Sequence, residues 1–131
     1  MTVKEFYESI DGNYDEAMCQ LRKEERIVKY LTMFLRDDSF ENLRTGMEEG
    51  DMQKAFLGAH TLKGICGNLV FTRLQGLSSS ITEDLRNGHD LEHAKVAYPE
   101  VAACYKQIVD AVKLLVETQN NCTNEQKNGG G

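Results

Sequence analysis

Apolar residues recur every three or four positions along most of this chain, and a single proline, Pro99, interrupts the pattern. That spacing marks one face of an α-helix, and no strand-like alternation of every second residue is sustained anywhere. Eleven glycines could argue for breaks, but three of them are the terminal Gly129, Gly130 and Gly131. At 131 residues the chain has the length of one domain, and 40% hydrophobic residues are enough for one core. Several amphipathic helices with short connections predict an all-α helical bundle over residues 1–118. Residues 119–131 (QNNCTNEQKNGGG) turn polar and are expected to form a disordered tail.

Punctuation along the chain sets the helix boundaries. Val3, Phe6, Tyr7 and Ile10 share a helical face and predict a short lid helix. Gly12-Asn13 reads as a turn, and Tyr14, Ala17, Met18 and Leu21 as a second short helix. A longer helix follows through Ile27, Leu31 and Phe34. Asp37-Asp38-Ser39 interrupts it, and Ser39 could cap a continuation through Leu43 to Met47. One kinked helix or two would both satisfy the pattern. Gly50 ends that stretch, and Asp51 caps the next helix, expected to reach about Asn68. Thr72 with Gln75 three residues later predicts a capping box for a helix ending near Asn87-Gly88. Asp90 opens a short piece, and Pro99 is expected in the first turn of a final long helix.

The formal net charge is −6. Nucleic-acid binding needs a basic face, so it is not expected. No run approaches the roughly 18 apolar residues of a membrane span, and the charged start MTVKEFYESID lacks an export signal. The protein is expected to be cytoplasmic. The four cysteines, Cys19, Cys66, Cys104 and Cys122, form no C-x-x-C pair. Cys66 and Cys104 read as small apolar core residues, and no metal site is expected.

The helix after Asp51 carries the chemistry. Met52, Ala55, Ala59, Leu62, Cys66 and Leu69 form its core-facing stripe. At about 100° per residue, His60 falls off that stripe and faces solvent. Gln53, Phe56, Lys63, Gly64 and Gly67 share its flank. An imidazole with the ordinary pKa near 6.5 is in good part neutral at neutral pH, so one ring nitrogen can attack a phosphoryl group. The other can keep its proton through a hydrogen bond. Lys63, one turn on, can offset the charge of phosphohistidine. Gly64 and Gly67 clear space beside the reactive nitrogen, although each costs roughly 1 kcal/mol in a helix. Phe56 and Leu57 are either peripheral core or an apolar rim for a partner, and Gly58, on another flank, serves packing. A lone surface histidine is commonly just solvated; the reading rests on the conjunction.

The string AHTLKGICGNLVFTRLQGLSSSI, Ala59 to Ile81, resembles the signature of histidine-phosphotransfer (HPt) domains, His-x-x-Lys-Gly followed by small residues and an Asn-Leu pair. The resemblance extends over the helix layout from about Ile27 to Leu115. It implies a four-helix bundle with the short N-terminal helices packed on it, and a role as a phosphocarrier in two-component phosphorelays. Carried over, His60 is the phosphoacceptor and Lys63 the phosphate-stabilising cation. Gln53, Phe56, Leu57, Gly64, Gly67 and Asn68 form the partner-docking surface. Two positions depart from the family. Val70 stands where a glycine often follows Asn-Leu. Thr82 falls where a Gln or Glu often hydrogen-bonds the imidazole, with Glu83 beside it as a second candidate.

The implied partners are response-regulator receiver domains, with a histidine kinase as a further candidate. The receiver would bring its own Mg²⁺, and this chain would hold no cofactor. No Gly-rich nucleotide loop is present, so the chain is read as a transfer intermediate and not as an enzyme. Two alternatives remain: a phosphoacceptor module of a larger chemotaxis-type histidine kinase, and a helical scaffold or adaptor without phosphotransfer. His89 and His93 read as solvated surface histidines.

Overall fold

The computed structural model describes the backbone of residues 1–130 and the side chains of residues 1–119. The expected tail, 119–131, therefore lies outside the described side chains apart from Gln119, as does Cys122. Among the described residues there is no strand. The helices are α1 (Val3–Ser9), α2 (Tyr14–Leu21), α3 (Glu24–Arg36), α4 (Ser39–Glu49), α5 (Met52–Leu69), α6 (Thr72–Leu85) and α7 (Leu91–Gly130), with a 3₁₀ turn at Arg86–Gly88. No helix among the described residues is long and apolar enough to cross a membrane.

Helices α4 to α7 form an up-down-up-down bundle, and each seam has an identifiable origin. Gly46 of α4 lies against the backbone of Ala55, and Gly58 of α5 against Leu43 and Ser39, so α4 and α5 run antiparallel in close contact. Gly67 sits beside Gln75, and Phe56 beneath Arg86, which sets α5 and α6 antiparallel. His93 of α7 meets Asp84 of α6 at 2.5 Å. That hydrogen bond holds the His93 imidazole above its ordinary pKa. The ring closes where Phe40 of α4 stacks on Tyr105 of α7, with centroids 4.1 Å apart, and on Tyr98 at 6.2 Å.

Residues 24–49 form two helices. Asp37 turns extended (φ −71°, ψ 139°), and its carboxylate accepts the Ser39 N–H at 2.8 Å. Ser39 is thus the first helical residue of α4 and is itself capped by no side chain from Asp38. Gly50 ends α4 in the left-handed conformation, φ 74°.

Two expected boundaries are corrected. The capping box at Thr72 and Gln75 does not form: the N-cap of α6 is Phe71, with no side-chain cap. Gln75 instead lies over Gly67, across the seam with α5. Pro99 is not in a first turn, because α7 starts at Leu91, capped by Asp90, whose side chain accepts the His93 N–H at 3.0 Å. An interior proline forfeits one hydrogen bond and costs about 3 kcal/mol. Pro99 stays on the exposed side, while Ala94 and Val101 bury on either side of it. Their burial and the Tyr98–Phe40 stack outweigh the local loss.

The N-terminal helices close the end of the bundle where α5 finishes. Thr2 and Glu5 form a true capping box at the start of α1, each side chain accepting the other's backbone N–H at 3.0 Å. Phe6 and Tyr7 are fully buried and make edge-on or tilted ring contacts with Phe71. The Tyr7 hydroxyl donates to the Leu69 carbonyl at 2.7 Å, and burial pushes its pKa up. Cys66 and Cys104 are buried, and burial pushes both thiols up, so they pack as neutral apolar groups.

Candidate functional site

The site stands on α5 because that helix is the most constrained of the bundle. Asp51 caps its first turn by accepting the Lys54 N–H at 3.1 Å. Ala55, Ala59, Leu62 and Cys66 are completely buried along its inner face, with Leu69 nearly so. Each fully buried leucine of this kind is worth roughly 1.5–3 kcal/mol. A side chain on the outer face therefore projects from a backbone that cannot shift without opening the core. His60 occupies that outer face and is exposed.

Around the imidazole the structure assembles less hydrogen bonding than the sequence suggested. Among the described residues neither ring nitrogen of His60 has a hydrogen-bond partner. It makes a ring contact with Phe56, one turn earlier, whose ring lies 5.8 Å away and 14° from parallel. Phe56 is half-buried, and the Arg86 guanidinium sits over its ring, 5.1 Å from the centroid.

The expected orienting groups are elsewhere. Thr82 is level with His60 along the α5–α6 seam but points into the core: it is completely buried, and its hydroxyl donates to the Ser78 carbonyl at 2.6 Å. Glu83 is exposed and accepts from Arg86 through both carboxylate oxygens, each at 3.2 Å. That pair holds the Glu83 carboxyl below its ordinary pKa, with Lys63 adding to the effect. Neither Thr82 nor Glu83 bonds the imidazole. Lys63 is half-buried and makes no ion pair within 4 Å among the described residues; its ammonium acts on the Glu83 carboxylate only at longer range.

The remaining predicted residues lie on the same outer surface. A Cβ built on Gly64 would meet nothing within 4 Å, and one on Gly67 would meet only the Gln75 amide, at 3.1 Å. Gly58 behaves oppositely: a Cβ there would lie 2.6 Å from both Leu43 N and Ser39 O, so this glycine serves packing as expected. Gln53 and Leu57 are exposed and flank a shallow groove with Phe56 and Arg86. Asn68, on the far side, borders a more apolar groove with Tyr30, Met33 and Ile65.

The departure at Val70 changes the residue without changing the type of cap. Val70 takes the left-handed conformation (φ 58°, ψ 46°) that a glycine would adopt freely, and is buried. For a β-branched residue this costs about 1–2 kcal/mol. The Phe71 N–H donating to the Cys66 carbonyl at 2.9 Å, and the burial of Phe71 itself, hold the turn in place.

Sequence reasoning missed Arg86. The signal was present in Glu83 and Arg86, three residues apart on one helix face. Placing them beside Phe56 required the register of the α5–α6 hairpin. His89 and His93 do not converge on a common ligand: His93 belongs to Asp84, and both are exposed. Among the described residues no group of three or more His, Cys, Asp or Glu side chains is arranged to hold a metal ion.

Comparison with curated proteins and with solved structures finds no match. The family model described as the Hpt domain matches residues 29–115, more than half of the chain. The match spans most of α3 and all of α4 to α6, and it ends within α7. The chain belongs to the Hpt domain family.

Proposed function

We propose that this chain is a phosphocarrier that accepts a phosphoryl group on His60 and exchanges it with aspartates of receiver domains. Hpt domains serve histidine phosphotransfer in phosphorelays and interact there with receiver domains and kinases. The observation that carries the reading for His60 is its setting. It is an exposed imidazole with no competing hydrogen bond among the described residues, one turn from Lys63 and from a glycine with open space above it.

In the proposed reaction the lone pair of a neutral His60 nitrogen attacks phosphorus of an aspartyl phosphate. The N–P bond forms as the P–O bond to the carboxyl breaks, and the aspartate leaves as a carboxylate with the bonding pair. The other ring nitrogen keeps its proton, which solvent can then remove. Lys63 offsets the charge of the bound phosphoryl group. The receiver brings its own Mg²⁺. Its active site approaches over Gly64 and Gly67, with Gln53, Leu57 and Asn68 at the rim. Exposed Leu57 and Met33, each 53% accessible, supply apolar contact area. The reverse reaction returns the group to a receiver, so the chain cycles without net turnover of its own.

The test is transfer of label from a phosphorylated receiver domain to the wild-type protein and to His60→Gln. The wild type should gain acid-labile, base-stable label, and His60→Gln should gain none while keeping its helix content. Lys63→Ala should slow labelling or shorten the lifetime of the phosphohistidine. Label on His60→Gln would overturn the assignment. A receiver that binds wild type and His60→Ala equally, with transfer to neither, would support an adaptor instead.

A further inference from the structure

We infer that Phe56, buttressed by Arg86, is the positioning residue for phosphoryl transfer, holding the plane of the His60 imidazole by stacking rather than by a hydrogen bond. The inference rests on His60 being the phosphoacceptor and names what orients it.

An imidazole on an exposed helix face turns freely about its outer torsion, which has broad, two-fold wells. In-line attack on a docked phosphoryl group needs one ring nitrogen aimed along the P–O axis, so some contact must restrict that torsion. Thr82 and Glu83 do not supply it: the first is bonded to Ser78 inside the core, the second to Arg86. The Phe56 ring does. It stands four residues before His60, on the same face of α5. The two planes are 14° from parallel with centroids 5.8 Å apart, an offset stack within the usual aromatic range.

Phe56 is itself fixed. The Arg86 guanidinium lies over its ring, and Glu83 holds Arg86 with two hydrogen bonds. The chain Glu83–Arg86–Phe56–His60 thus runs from α6 to the imidazole, with its two charged members, Glu83 and Arg86, paired to each other. A stack differs chemically from a hydrogen bond in what it leaves free. A carboxylate or amide acceptor would fix both the plane and the tautomer. Phe56 fixes the plane alone, so either nitrogen can carry the proton and solvent can exchange it after transfer.

The test compares two phosphoryl donors on the full chain. A phosphorylated receiver domain must present its phosphoryl group in one direction, whereas the small donor phosphoramidate can approach from any. With the receiver, Phe56→Leu should lower the saturating transfer rate on the order of tenfold, with the half-saturating concentration unchanged. With phosphoramidate the fall in His60 labelling should be much smaller than with the receiver, within about twofold. Phe56→Tyr should restore receiver transfer, and Arg86→Gln should lower it by a smaller factor. In NMR spectra, the ring-current shift of the His60 ring protons should persist in Phe56→Tyr and vanish in Phe56→Leu, while circular dichroism reports an intact fold.

A raised half-saturating concentration alone would make Phe56 a docking residue and overturn the inference. An equal fall with both donors, or no change with either, would also overturn it. If phosphoramidate and the receiver both fail to label wild-type His60, the phosphoacceptor reading itself falls; that outcome is separate from any effect of the Phe56 variants.

Discussion

Gly58 and Gly64 lie on the same helix, less than two turns apart, and they exist for opposite reasons. A methyl at Gly58 would collide with the α4 backbone at 2.6 Å, and Gly46 on the facing helix is tighter still, 2.5 Å from Ala55 N. Those two glycines let α4 and α5 approach until their backbones touch. At Gly64 the same methyl would meet open space. Among the described residues no neighbour requires glycine there, although it costs a helix roughly 1 kcal/mol. A glycine forced by its neighbours belongs to the fold; at Gly64 the fold makes no such demand, which agrees with the clearance proposed for a docked receiver.

Substitution by alanine separates the two regions. Gly46→Ala and Gly58→Ala should cost the most, about 2–3 kcal/mol each, because backbone and not a flexible side chain must give way. Urea denaturation would measure this, and near-wild-type midpoints for both would mean that the α4–α5 seam is looser than described. Gly64→Ala should have the opposite sign, raising stability by up to about 1 kcal/mol while slowing transfer from a phosphorylated receiver. Higher stability with unchanged transfer would remove the clearance role. Gly67→Ala should have the smallest effect, within about 0.5 kcal/mol, since only the mobile end of Gln75 must move aside.

The parts of this structure legible in the sequence were those decided by local chemistry. The α5 stripe, the Asp51 cap, the left-handed Gly50 and the outward placement of His60 all follow from periodicity and capping. Thr2-Glu5 and Thr72-Gln75 show where local reasoning ends. Both fit the same capping pattern, yet only the first forms a box, because Gln75 finds Gly67 across the hairpin instead. Pro99 is similar: its local preference for a helix start yields to burial on both sides of it. Thr82 was placed at the right height along α6 and on the wrong face. A lone threonine on an amphipathic helix does not announce whether its hydroxyl will serve its own backbone. Arg86 was invisible for a related reason, since its partner Phe56 lies on another helix, brought near only by the register of the turn at Val70.

The lid formed by α1 is tied to parts of the chain made long after it. Tyr7 bonds Leu69, 62 residues away, and Ser9 accepts from the Gln107 side chain, 98 residues away. The α4–α5, α5–α6 and α6–α7 seams join helices adjacent in sequence and can close as each hairpin is completed, while the Phe40–Tyr105 stack waits for α7. On a ribosome, then, Phe6 and Tyr7 emerge before the residues that seat them and settle only after Leu69 and Phe71 have been translated. Until that moment two of the largest apolar side chains of the protein are exposed to whatever else is in the cell.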